Sequence, residues 1–265
     1  MSQPSTVTVH APDRSPRRKR APGKLPLKYS YAPSNDGTDE NLLILLHGLG
    51  DTELPFANLG RSLKLPQTAT LSLRAPLRIP FLEEDAFQWY PSFDPLGDLL
   101  TRPDPTGAVD VLLLTLKALV DDCHWPVNKI HLFGFAQGGS VAAELAVRVW
   151  QDRVFPSGGE TVEPLALASV VTIGGPLLEH PTFTPACATP ILVFHRLPPS
   201  ASALPSSAVR AFERAFQEMK ELKITGGEGM PRSREEWEPV MRFWAGVLGR
   251  RVPEDLLEVV AGGPV

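Results

Sequence analysis

Apolar residues along the chain gather in short runs rather than in an even scatter. Five runs stand out: Asn41 to Leu46 (NLLILL), Thr68 to Leu73 (TATLSL), Ile130 to Phe133 (IHLF), Ser169 to Ile173 (SVVTI) and Ile191 to His195 (ILVFH). Each is bounded by Gly, Pro or polar residues and lacks strict alternation, the pattern of strands buried on both faces of a parallel sheet. Between them the spacing predicts helices over Val109 to Asp122, Gly139 to Gln151, Ser206 to Leu222 and Glu235 to Leu248. Strands separated by helices of this size imply right-handed βαβ units and a doubly wound, mostly parallel sheet with one core. Three stretches interrupt the alternation: Ala75 to Gly107, rich in Pro and aromatics, Asp152 to Pro164, and Leu197 to Ser207. Loops of this length within a compact domain are functional or disordered.

Charge divides the chain unevenly. The whole carries a net charge of −4, yet residues 1–28 hold seven Lys and Arg against Asp13 alone, so the remainder is strongly acidic and reads as no nucleic-acid surface. The segment SPRRKRAPGK has almost no large apolar side chain to offset the entropy of ordering, so residues 1–24 are expected to be a disordered basic tail. Residues 25–250 form the folded domain and residues 251–265 a carboxyl-terminal tail. The amino terminus has no apolar signal core, and no apolar run approaches the ~18 residues of a membrane span. A cytoplasmic chain is the expectation, with nuclear import the second address a basic run encodes. Cys123 and Cys187 form neither a disulfide framework nor a metal-ligand spacing, and no metal or nucleotide motif occurs; no cofactor is expected.

Two short stretches carry chemical meaning. Gly134-Phe135-Ala136-Gln137-Gly138 follows a strand and opens a helix, the layout of a G-x-S-x-G nucleophile elbow with alanine where the serine would stand. His47-Gly48-Leu49-Gly50-Asp51 follows an earlier strand, where a backbone N–H joins that of the residue after the nucleophile to bind an oxyanion. By position those donors are Leu49 and Gln137.

Together with Arg74-Ala75-Pro76 and Trp89, these motifs resemble the phospholipase/carboxylesterase family that includes the acyl-protein thioesterases. The resemblance implies an α/β-hydrolase fold and, in intact members, a cofactor-free Ser-Asp-His hydrolase of acyl esters and thioesters. Carried over position by position, the triad fails three times. Ala136 occupies the nucleophile's place. The acid's loop after Ile191 to His195 reads RLPPSAS, with no carboxylate before Glu213. The base's segment reads GGEGMPRSR, and no histidine follows His195. An engineered Ser-to-Ala change accounts for the first absence only.

Other residues are weaker candidates. His47 holds the oxyanion loop's backbone, His131 is a satisfied core histidine, and His195 lies near the rim of the pocket. His47, Gly48, Trp89 and His195 are taken as pocket candidates, beneath a loop bearing Phe81, Phe87, Trp89, Tyr90 and Phe93. Ser140, one turn beyond Ala136, faces packing. The sequence therefore reads as a pseudoenzyme that binds a protein partner or an acyl- or ester-like ligand. The alternative is an active esterase or thioesterase with rearranged residues, or an engineered Ser-to-Ala variant of one.

Overall fold

A computed structural model describes residues 19–80, 82, 84–94, 96–155, 165–179 and 185–251. Nine strands and five helices are described: β1 Tyr29–Ala32, β2 Asn41–Leu46, α1 Glu53–Leu63, β3 Thr68–Leu73, β4 Leu77–Arg78, β5 Phe87–Gln88, α2 Thr106–Asp121, β6 Ile130–Phe135, α3 Gln137–Gln151, β7 Ser169–Ile173, β8 Ile191–Arg196, α4 Ser206–Ala215, β9 Met219–Ile224 and α5 Arg234–Val247. Seven strands form one sheet in the order β1-β3-β2-β6-β7-β8-β9. β1 runs antiparallel to β3, while every other pair in that sheet is parallel. β4 and β5 make a separate small hairpin.

Alternation along each strand builds two cores. Leu42, Ile44, Leu46, Ile130, Leu132, Ile191 and Val193 pack toward α2, α3 and α4, while Leu43, Leu45, Phe133, Val171, Leu192 and Phe194 pack toward α1 and α5. Both faces are covered, which is why the central strands lack the strict apolar–polar alternation of a half-exposed sheet. On the α5 side Phe133 lies 5.8 Å from the Trp244 ring and 6.0 Å from the Trp237 ring. The chain closes on itself at the amino-terminal end of β2. There the Asn41 side chain donates to Gly249 O and accepts from Gly249 N–H, both at 2.9 Å.

The expected helix over Ser206 to Leu222 requires correction. It ends at Ala215, and Met219–Ile224 is a strand. Cys187 N–H donates to Ala215 O and Gln217 N–H to Cys187 O, so Phe216 is drawn into extended backbone and the chain joins the sheet edge beside β8. α1 and β1 were not anticipated. Pro55 sits in the first turn of α1, where its missing N–H costs nothing. At the other end, the stretch expected as tail is anchored from Lys19: its ammonium donates to Asp39 O and Glu40 O at 2.8 and 2.7 Å, and Arg20 N–H to Cys123 O at 2.9 Å. Arg14, Arg17 and Arg18, and almost all of the 251–265 tail, lie outside the described residues.

Candidate functional site

β6 ends at Phe135 and α3 begins at Gln137, leaving Ala136 alone to make the turn, with φ 48° and ψ −116°. A non-glycine residue in this region is strained by about 1–3 kcal/mol and persists only where its surroundings fix it. Ala136 N–H donates to Ile173 O at 2.8 Å, and Ala136 O accepts from Ser140 N–H at 3.0 Å. The reversal is tight enough that a Cβ at Gly134 would strike the Gly138 carbonyl, and one at Gly138 the Leu46 carbonyl. The geometry of a nucleophile elbow is therefore complete, with a methyl group at its tip.

The loop after β2 is fixed by His47, whose Nδ1 donates to Gly48 O at 2.7 Å while Nε2 accepts from Ala75 N–H at 2.9 Å. Both ring nitrogens are engaged, which assigns the tautomer, and burial holds the imidazole below its ordinary pKa. Trp89 Nε1–H donates to His47 O at 2.8 Å, and the Trp89 ring lies 5.6 Å from the imidazole. A Cβ at Gly48 would meet the Phe135 ring at 2.8 Å. His47 and Trp89 are both buried, whereas Leu49 is exposed.

Sequence reasoning used Gln137 only for its backbone N–H, but its side chain does more. Gln137 Oε1 accepts from Trp89 N–H at 2.9 Å, and Nε2 donates to Tyr90 O at 2.9 Å and Ser92 Oγ at 2.7 Å. One amide thus ties the aromatic loop to the elbow. The signal was present in a glutamine directly after the turn, since such a residue, once buried, must find partners for both ends of its amide. Behind it, Ser140 and Glu144 are buried on α3. Glu144 accepts from Leu178 N–H at 2.6 Å and Glu179 N–H at 2.8 Å. Burial nevertheless pushes its carboxyl up to about 7.

The loops after β8 and β9 are joined to each other. Arg196, fully buried at the end of β8, donates to the Gly226, Gly229 and Met230 carbonyls at 2.7, 3.1 and 3.0 Å and to both Glu236 oxygens at 3.0 and 2.9 Å. Ser200 Oγ donates to Glu228 at 2.7 Å, and Gly229 N–H donates to Ser202 Oγ at 3.1 Å. His195 points to the opposite face of β8, where Nε2 donates to Glu221 at 2.9 Å and Nδ1 accepts from Leu204 N–H at 3.4 Å. It has no described contact with Ala136 or Gln137. His131 is held between Ser169 at 2.8 Å and Asn41 at 3.4 Å, and burial pulls its pKa down to about 4. Phe81 and His180 lie outside the described residues.

Among the described residues no three His, Cys, Asp or Glu side chains converge as a metal site, and no helix is long and apolar enough to cross a membrane.

Comparison with known proteins agrees with this geometry. The sequence profile of the phospholipase/carboxylesterase family matches residues 29–197. A protein of Mycosarcoma maydis described as an uncharacterized hydrolase is 38% identical over 235 residues, covering 86% of this chain and 84% of its own. A second uncharacterized hydrolase, from Schizosaccharomyces pombe, is 29% identical over 225 residues, covering 78% of this chain and 87% of its own. Among solved structures, acyl-protein thioesterase 2 of Zea mays superposes with a TM-score of 0.64 at 20% identity, covering 84% of this chain and 99% of its own. Esterase PE8 superposes with a TM-score of 0.67 at 18% identity and the same two coverages. The chain belongs to the phospholipase/carboxylesterase family and has its α/β-hydrolase fold.

Proposed function

We propose that this chain is a pseudoenzyme of its family, acting by binding a protein partner or an acyl- or ester-like ligand rather than by turnover. The observation that carries the reading is the pairing of the two loops that would hold an acid and a base. The first offers Ser200 and Ser202, the second Glu228 and Gly229, and they bond to one another. Neither brings an imidazole toward Ala136. A serine hydroxyl attacks only when an adjacent base takes its proton. Here the elbow supplies a methyl, the only carboxylate described in the two loops up to Arg232 is engaged by a hydroxyl, and His195, on the other face of β8 from Arg196, is occupied by Glu221.

What the elbow retains suits binding. The first N–H groups of a helix have no intrahelical partner, so Gln137 N–H, together with Leu49 N–H from the loop after β2, is offered as the donor pair for a ligand carbonyl or carboxylate oxygen. Gly48 and the buried frame of His47 and Trp89 set the position of that second donor. The address proposed is cytoplasmic, with nuclear import the second address that the basic run SPRRKRAPGK can encode, and a fluorescent fusion with and without residues 1–18 distinguishes the two.

The alternative, an active hydrolase with rearranged residues, draws its support from the preserved strain at Ala136 and from relatives described as hydrolases. A fluorophosphonate probe, which bonds to an activated serine, separates the two. The expected result is an unlabelled chain; stoichiometric labelling at any serine would sink the pseudoenzyme reading.

A further inference from the structure

Nine large apolar side chains are exposed among the described residues, and eight of them sit in or beside the loops leaving the carboxyl ends of β2 and β3, around the elbow; the ninth, Leu114, is on α2. Such one-sidedness is not the usual scatter of surface leucines, and exposed apolar side chains gathered on one group of loops mark an interaction site.

The display is built rather than loose. Gly50 N–H donates to Phe87 O at 2.9 Å and Leu77 pairs with Gln88, so Leu49 and Leu77 flank one short ribbon. Beyond Tyr90 the chain makes a second knuckle. Phe93 pairs with Leu99, Leu100 N–H donates to Ser92 O at 2.9 Å, and the Asp94 carboxylate accepts from Leu96 and Asp98 N–H at 2.8 and 3.0 Å. This holds Leu96 at 88% and Leu99 at 72% exposure, and Ser92 in turn is clamped to the elbow by Gln137. A loop whose own hydrogen bonds fix leucines in solvent gains nothing within the chain from their position, so the gain lies in a bound partner.

Charge selects the occupant. Between Ala75 and Gly107 six carboxylates accompany two arginines, and Asp94 and Asp98 stand directly among the exposed leucines. An acidic fringe repels an anionic lipid surface and attracts a cationic one. We infer that the apolar, acid-flanked rim formed by Leu49, Leu77, Phe93, Leu96 and Leu99 docks a cationic amphipathic segment of a partner protein, its apolar face on the leucines and its Lys or Arg against Asp94 and Asp98. This names the class of partner for the proposed binding function and rests on that reading. The following test nevertheless fails separately from it.

The probe is a synthetic Leu/Lys peptide patterned as an amphipathic helix, titrated by fluorescence anisotropy into the full chain, with a scrambled peptide of equal composition and phosphatidylcholine vesicles as the other arms. The variant is Leu96→Ser/Leu99→Ser, two outward side chains whose loss should leave the thermal midpoint in place; Asp98→Asn is a second, charge-only change. The expected result is a patterned peptide bound at least about tenfold more weakly by the double variant than by the parent, with the salt dependence reduced in Asp98→Asn. Equal binding to the double variant overturns the dock, and so does capture of the parent, but not the variant, by vesicles that leave the peptide unbound. Serine labelling by the fluorophosphonate would refute the pseudoenzyme reading while leaving this titration intact.

Discussion

Ser200 Oγ donates to a Glu228 oxygen at 2.7 Å, closing the loop after β8 onto the loop after β9. The same carboxylate accepts from Ala201 N–H at 3.1 Å, and these bonds hold it below its ordinary pKa, the Ser200 hydroxyl first. The pair occupies the two loops from which this fold draws an acid and a base, and makes of them a brace. Glu228→Ala is expected to speed amide hydrogen exchange at Ala201 while leaving the thermal midpoint close to the parent's, because the Glu228 side chain is exposed. Unchanged protection at Ala201 would show that the brace does not hold the loop.

The backbone at Ala136 yields a second prediction. Its φ of 48° suits glycine, and relief of about 1–3 kcal/mol of strain outweighs the roughly 0.5–1 kcal/mol that glycine loses in chain entropy. Ala136→Gly is therefore expected to gain about 1 kcal/mol in urea unfolding, raising the thermal midpoint by about 2–3 °C. A lowered midpoint would mean that the turn imposes no strain on alanine.

Arg196 and Glu236 set the acid limb of stability. The guanidinium hydrogen bonds, with a further one from Arg232 N–H at 2.8 Å, pull Glu236 down to about 2. A carboxyl whose folded pKa is depressed contributes stability above its unfolded value near 4.5, and that contribution is lost as pH falls toward 2. Glu236→Gln is expected to flatten the stability curve between those values. Arg196→Met leaves three carbonyls and a carboxylate without their donor and should cost about 3 kcal/mol or more. A profile as steep in Glu236→Gln as in the parent would remove Glu236 from the account.

Glu144 acts with the opposite sign. Its carboxyl, raised to about 7 chiefly by burial, binds a proton more readily folded than unfolded. Its contribution is thus fully present below about 4.5 and declines as pH rises through 7. Glu144→Gln should remove this decline while keeping an acceptor for Leu178 and Glu179 N–H. Urea midpoints measured from pH 5 to pH 8 check it, and a decline that persists in the variant contradicts the assignment.

The sequence made legible those elements whose burial is uniform. β2, β3, β6, β7 and β8 lie between two layers of helices, so every one of their residues but Phe135 is buried, and the expected runs match them to within two residues. β1 and β9 are edge strands with mixed exposure, and MKELKI is built from good helix formers, so its pattern extends the preceding helix until the pairing with β8 overrides it. The elbow and the loop after β2 were legible because close backbone approach demands glycine at fixed spacing. The Gln137 clamp, the Arg196 staple and the Ser200–Glu228 brace were not, because each joins segments separated by roughly 28 to 48 residues and no local pattern records such a contact.

The central claim, that elbow and frame survive without the groups that run the chemistry, is tested most directly by restoring the nucleophile's hydroxyl alone. Turnover of a short-chain p-nitrophenyl ester is measured for the parent and for Ala136→Ser, side by side at neutral pH. With no imidazole to take the hydroxyl proton, Ala136→Ser is expected to turn over the ester no faster than the parent. A rise of about a hundredfold or more, the scale of a working general base, would show that a base reaches this serine and would contradict the account.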